Sequence, residues 1–336
     1  MKKNYLCAFF ILVGTMTVHT AAPATVYNNS ALTIFDAIGH VEAALIDFTY
    51  PLDSRQTNCG WQDKECRIFK QTLIIEGKTF GGIAHFTSDK NTGFDATRMG
   101  LGTGIKGYIN PNLTVGGRFT RSLTDTRDDR TYSNVATNSL TAFAEYLAAN
   151  DFFVNTGVGV GHAKWSGDRI VNGLVYNPLN YDTEIFTAQA TTGTTLKYKS
   201  LFATPHAGVR YLYVYSEKHD DAAGQQFDRW SNGMLTGMAG VRLGAEFIRY
   251  DFTIRPGLFA AAGYDAISNG ADTIRTDLND GTYYYTPIDI PPPFAFNTGA
   301  GISVTGSSFV LNFDYRLDSR NNFLSHTLML NFKVGF

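Results

Sequence analysis

Several residue groups in this 336-residue chain are of types that could do chemistry. His219-Asp220-Asp221 sets an imidazole beside two carboxylates, the components of a metal site or of an acid/His hydrolytic site. The three are adjacent in a loop-like stretch and no partner carboxylates can be placed beside them, so the ordinary reading is solvated charge. Ser325-His326 joins a nucleophile to a base. Neighbours on a strand point to opposite faces, so these two cannot form a hydrogen-bonded dyad. Asp280-Gly281-Thr282-Tyr283-Tyr284-Tyr285 with Pro291-Pro292-Pro293 makes an aromatic, proline-stiffened segment, either a surface contact element or a cover over a mouth. None of these groups assembles a catalytic constellation. The expectation is a protein that is not an enzyme, with no cofactor and no metal.

The elements that position these groups are clearest at the C-terminal end. Residues 324–336 read LSHTLMLNFKVGF, and alternate positions Leu324, Leu328, Leu330, Phe332, Val334 and Phe336 are apolar. The intervening Ser325, Thr327, Asn331 and Lys333 are polar. A strand sends successive side chains to opposite faces, so this segment has one apolar and one polar face. The pattern recurs along the chain, as a transmembrane β-barrel needs: lipid outside, water or a plug inside. Leu328, Leu330, Phe332, Val334 and Phe336 are the expected assembly signal, read by the barrel-assembly machinery and sealing the last strand against the first.

The other end looks like an export signal. Lys2 and Lys3 precede an apolar run ending near Val18, and Ala22-Pro23-Ala24 offers a small-residue cleavage site. The run is too short to span a bilayer as a helix. Without residues 1–24, 26 basic residues face 30 acidic ones, so the net charge moves from −2 to −4 and gives no case for nucleic acid. Plentiful glycine (33 residues), 14% aromatics and only 17% charged residues suit a barrel better than a soluble α/β enzyme. Cys59 and Cys66 remain, seven apart with no His or third Cys nearby. In an oxidising compartment that spacing favours a small disulfide loop over a metal or redox site.

Residues 25–70 read as a short N-terminal helix and a disulfide loop. Ser30 would cap a helix with Ile34, Ile38, Val41, Leu45 and Phe48 on one side, ended by Pro51 and lying on the periplasmic rim or in the lumen. From residue 72 the two-residue rhythm gives twelve strands: 72–86, 97–110, 113–122, 138–149, 152–164, 184–198, 201–215, 233–250, 252–265, 294–305, 309–317 and 323–336. Short and long connections alternate between them, as in a barrel with tight periplasmic turns and long outer loops. The expected fold is therefore all-β, a twelve-stranded antiparallel transmembrane β-barrel over 71–336. An outward Arg at mid-depth would cost about 2–4 kcal/mol, so Arg118, Arg210, Arg242, Arg255 and Arg316 are expected in the lumen with His206. Glu145, Glu246 and Asp314 would neutralise them there, and Gly157, Gly159 and Gly161 leave one inner wall bare.

Three stretches carry a resemblance: 161–169 (GHAKWSGDR), 203–214 (ATPHAGVRYLYV), and 314–318 (DYRLD) followed by Ser325-His326 and Phe336. Together they resemble the autotransporter β-domain, the translocator barrel of type V secretion. The resemblance implies an outer-membrane barrel in a Gram-negative bacterium, with a helix in its lumen that helps deliver a passenger to the surface. Only some 46 residues stand between the signal and the barrel, and none reads as β-solenoid repeat. The expectation is thus a passenger-less barrel with a structural or surface-interaction role, its partners being outer-membrane lipid and a surface ligand of unknown identity. Asn28-Asn29 could imitate the pair at which some autotransporters cut themselves, but it precedes the helix. A porin-like channel for small solutes is the alternative, and an outer-membrane hydrolase a third reading.

Overall fold

The computed structural model describes residues 73–87, 93–110, 112–127, 131–148, 150–171, 174–220, 226–250, 252–270, 273–277, 282–287, 293–306 and 308–336. The signal segment, Asn28-Asn29, the helix expected over 34–48, Cys59, Cys66, Asp221 and Asp280 lie outside them.

The twelve barrel strands are β1 (Leu73–Phe86), β2 (Phe94–Asn110), β3 (Leu113–Arg127), β4 (Thr131–Leu147), β5 (Phe152–Val171) and β6 (Leu174–Thr194). They continue with β7 (Leu201–Ser216), β8 (Trp230–Ala245), β9 (Phe252–Gly270), β10 (Phe294–Thr305), β11 (Phe309–Arg320) and β12 (Phe323–Gly335). Short extensions, Leu196–Tyr198 and Phe247–Arg249, carry β6 and β8 to their turns. Each strand pairs antiparallel with its sequence neighbours. The last closes on the first from Ile74↔Gly335 to Phe86↔Phe323. Closure matters because an unpaired edge in hydrocarbon leaves backbone groups without partners.

The alternation read in the sequence becomes an inside and an outside. On β12 the odd positions 325–335 are buried, while Leu328, Leu330 and Phe332 stand exposed beside Phe336. The same division puts Leu140, Val158, Val160, Leu243, Leu258 and Phe313 on the outer wall. In water that wall would be an aggregation surface; in a bilayer it is the solvent-matched face.

Several strands run further than the apolar rhythm suggested. β4 starts at Thr131 rather than 138, β5 continues to Val171, and β6 begins at Leu174 rather than 184. Above the bilayer both faces meet water or polar groups, so hydrogen bonding continues while the period-two apolar signal fades. Near that boundary sits an outward arginine that the sequence reading did not flag: Arg121 is exposed on β3, between Phe119 and Leu123.

The short turns are built locally. Asn110 Oδ1 accepts from the backbone N–H of Asn112 and of Leu113, both at 2.9 Å, which turns β2 into β3. At the β4–β5 hairpin the Asp151 N–H donates to the Ala148 carbonyl (3.2 Å), and Asp151 has φ 59°. Asp151 thus ends the short connection in the left-handed conformation. Lys199 and Tyr250 take the same left-handed conformation at two other short turns.

The inner wall carries a repeated packing device. Phe80, Phe143, Phe153, Phe202 and Phe259 each lie directly opposite an inward glycine: Gly100, Gly116, Gly193, Gly244 and Gly299. Each ring covers its glycine so closely that an added Cβ would collide with it, at 2.5 Å for Gly116 and 2.7 Å for Gly193. A ring over a bare backbone fills space that a second side chain would contest and fixes the strand register. Gly299→Leu is therefore expected to lower stability by about 1–3 kcal/mol through overpacking. Urea titration of heat-modifiable migration should show an earlier midpoint; an unchanged midpoint would mean that both the Phe259 ring and the Tyr315 backbone give way.

Candidate functional site

The lumen is the candidate site, and its two ends differ. In the half near the short turns the inner wall is charged and paired. Arg118 Nε donates to Glu76 Oε1 at 2.9 Å, and a second guanidinium N–H donates to the same oxygen. Lys106 Nζ donates to Glu145 Oε2 at 3.0 Å, and Arg255 Nε to Glu246 Oε2 at 2.7 Å. The first two pairs each reach across an intervening strand. Glu76 and Arg118 both sit opposite Gly104, where a Cβ would lie 2.6 Å from Glu76 Oε1. Lys106 reaches Glu145 over Gly116. The glycines thus leave room for ion pairs between β1 and β3 and between β2 and β4.

Higher on the β9–β11 wall, Arg320 donates to Asp265 Oδ2 at 2.6 Å while Asp265 Oδ1 accepts from Thr236 at 2.7 Å. Arg316 donates to Asp318 (3.0 Å) and to Asn297 (2.9 Å). Arg118 lies over the Phe143 ring and Arg242 over the Phe202 ring, at 5.5 and 5.8 Å. Lys78, Arg98, Arg210 and Lys333 also occupy inward positions, as do His206 and Asp314. Cations outnumber carboxylates on the described inner wall. Arg118, Arg210, Arg242 and Arg255 are buried on inward positions, and Arg316 lies inward beside Asp318 and Asn297.

The half near the long loops is different. Phe86, Phe94, Val135, Ala163, Trp165, Tyr181, Ile185, Leu212, Val214, Trp230 and Met234 form one buried apolar cluster with Phe227. All but Phe227 come from inner faces of β1, β2 and β4–β8, near their outer ends. The sequence reading gave the lumen a mostly polar lining, and here it is corrected. Parity along β5 carried the signal: Phe153, Asn155, the three glycines, Ala163 and Trp165 share one face. Gly157, Gly159 and Gly161 do face inward, but a Cβ at Gly159 would meet Thr187 Oγ1 at 2.8 Å and Thr141 Oγ1 at 3.0 Å.

Four rings of the cluster stack in file: Trp165 on Tyr181 at 5.4 Å, Tyr181 on His219 at 4.3 Å, His219 on Phe227 at 5.1 Å. Trp165 Nε1 donates to Thr183 Oγ1 at 3.0 Å, which satisfies the indole inside the cluster. His219 is therefore a packed ring, not one member of a solvated triplet. One long loop supplies Phe227 and His219, and it pairs with a second. His219–Asp220 and Gln226–Phe227 from the β7–β8 loop join Thr273–Asp277 and Tyr283–Pro287 from the β9–β10 loop in a four-stranded sheet. Register places Phe227 opposite His219, on the face toward the cluster. Gln226 pairs with Asp220 and Asp277, and Asp277 with Tyr283, on the other face.

That outer face has its own order. Arg275 donates to Asp277 through Nε at 2.9 Å, and its guanidinium lies 4.5 Å from the Tyr283 ring centroid. The bond to Asp277 holds the Arg275 pKa above its ordinary value. Among the described residues no group of three or more His, Cys, Asp and Glu is placed to hold a metal ion. Ser325 is buried on the inner face, while His326 lies outside with Nδ1 2.7 Å from the Tyr315 hydroxyl, so the two are not a dyad. The expected assembly residues Leu328, Leu330, Phe332 and Phe336 stand exposed on the outer wall, with Val334 partly so.

A closed antiparallel barrel with an apolar outer wall and a charged inner wall is a membrane-spanning barrel; among the described residues no helix is long and apolar enough to cross a membrane. The family model described as "Autotransporter beta-domain" matches residues 77–316, and the chain belongs to that family. It is an outer-membrane β-barrel of the autotransporter β-domain type. Its fold is similar to the translocator domain of the autotransporter NalP from Neisseria meningitidis, with a TM-score of 0.72, 15% identity, and coverage of 93% of this chain and 100% of that one. It is also similar to the transport unit of AIDA-I from Escherichia coli (TM-score 0.62, 14% identity, coverage 92% and 99%). The β-domain of Bordetella BrkA is a third (TM-score 0.63, 14% identity, coverage 79% and 100%). No curated protein sequence matches the chain.

Proposed function

We propose that this barrel works at the surface of a Gram-negative bacterium as a closed, passenger-less display scaffold, a structural and surface-interaction protein and not a catalyst. In this reading residues 1–24 direct export and the outward set of β12 engages the assembly machinery. The observation that carries it is the buried apolar cluster on the inner faces of β1, β2 and β4–β8 near their outer ends, with Phe227 of a long loop packed into it. Water and ions cross apolar constrictions poorly, because dewetting closes them. The cation-rich lower wall favours a second reading, a pore for small anions, and the cluster argues against it.

Refolded protein in planar bilayers should show little steady conductance. Combining Phe227→Ala with Trp165→Ala removes two of the four stacked rings and is expected to raise conductance several-fold, with anions preferred. A large, steady wild-type conductance would count for the pore and against the closed scaffold.

A further inference from the structure

We propose that the outer face of the four-stranded extracellular sheet is a carbohydrate platform for neutral, linear oligosaccharides, built on Tyr283 and Tyr285. The two rings sit two apart on one strand and meet edge-to-face, with centroids 5.7 Å apart and planes at 79°. They are 56% and 58% exposed. Exposed tyrosine is common, but here the pair is held. Asp277 fixes Arg275 through Nε and Nη2 at 2.9 and 2.8 Å, and Arg275 lies on the Tyr283 ring. Register puts Tyr285 opposite Arg275 and Tyr283 opposite Asp277. Beside them Gln226 donates to Asp220 at 3.0 Å. The result is an aromatic surface set in advance, next to a row of amide, guanidinium and carboxylate groups.

That chemistry suits a sugar. The faces of aromatic rings are electron-rich and attract the weakly positive C–H faces of a pyranose, while fixed donors and acceptors take its hydroxyls. Holding the rings before binding lowers the ordering cost of association, which matters most for a small, flexible ligand. The charges argue for neutrality: Arg275 is already paired with Asp277, and Asp220 adds a carboxylate that would repel uronate or sialate. Two tyrosines and their flanking groups also fall well short of the roughly 1,000 Å² that a stable protein partner needs. The inference rests on the loops facing outward, but not on the lumen being closed.

The test uses the refolded full chain and isothermal titration with cellohexaose, maltohexaose and laminarihexaose, with hexagalacturonate as the charged probe. At least one neutral hexasaccharide should bind. Tyr283→Ala combined with Tyr285→Ala should weaken it by at least about tenfold, in the range of lost hot-spot side chains. Asp277→Asn, which keeps both rings but loosens their anchor, should weaken it about threefold. Tyr132→Ala, an exposed ring on the barrel wall, should change nothing. Heat-modifiable migration checks that each variant is folded. Three results overturn the proposal: no neutral sugar binds at millimolar concentration, the double variant binds like wild type, or the uronate is preferred. A conducting barrel that still binds sugar would sink the closed-scaffold reading alone.

Discussion

Removal of residues 330–336 abolishes the folded barrel, so the truncated chain migrates at the same position before and after boiling. These residues pair on both sides. Leu330 faces Thr79 and Phe313, Phe332 faces Gly77 and Leu311, and Val334 faces Ile75 and Phe309. Without them two strand edges open into hydrocarbon, where each unsatisfied backbone group costs several kcal/mol. Phe336 separates stability from assembly. Its N–H donates to the Leu73 carbonyl at 3.0 Å, which any residue could do, while its side chain is 64% exposed. Phe336→Ala should therefore leave the urea midpoint of refolded protein nearly unchanged yet slow insertion in cells. Heat-modifiable migration of the truncation would show that β11 can close on β1, and an altered urea midpoint would make Phe336 a packing residue.

The barrel was legible because lipid enforces a strict rule on one face. Leu311, Phe313 and Tyr315 on β11, or Leu328, Leu330 and Phe332 on β12, alternate with Asn312, Asp314, Asn331 and Lys333. Twelve strands could be counted that way. The rule ends at the bilayer surface, which is why the apolar rhythm marks β4, β5 and β6 as shorter than they are. The outer closure was hard to read for a different reason. Phe227 and His219 lie on two-residue strands that pair with each other, and the Phe227 strand takes its other neighbour from a loop almost fifty residues away, a pairing that leaves no periodicity. Tyr283 and Tyr285 could be noticed as aromatic, but Arg275 and Asp277 become their partners only through register. The same holds for Glu76 and Arg118. Each polar residue was visible in its strand, and Gly104 between them read as a gap rather than as the space they share.

That pair yields the second large effect. Glu76→Ala is expected to destabilise the barrel by about 3–5 kcal/mol, the cost of removing one member of a buried, hydrogen-bonded ion pair. Both side chains are nearly inaccessible, at 4% for Glu76 and 3% for Arg118, so water cannot replace the lost partner without local opening. The Phe143 ring beneath the guanidinium offsets part of the loss but supplies no acceptor. Removing both charges tests the cause. Glu76→Ala with Arg118→Met should recover more than half of the stability, because the penalty belongs to the buried cation that loses this carboxylate and not to missing volume. Gly104→Leu should imitate the single variant, since its side chain must occupy the path between the two groups. Urea unfolding of the refolded protein in vesicles reads all three. A loss below about 1 kcal/mol for Glu76→Ala, the scale of an exposed pair, would show that Arg118 does not depend on Glu76 to offset its charge.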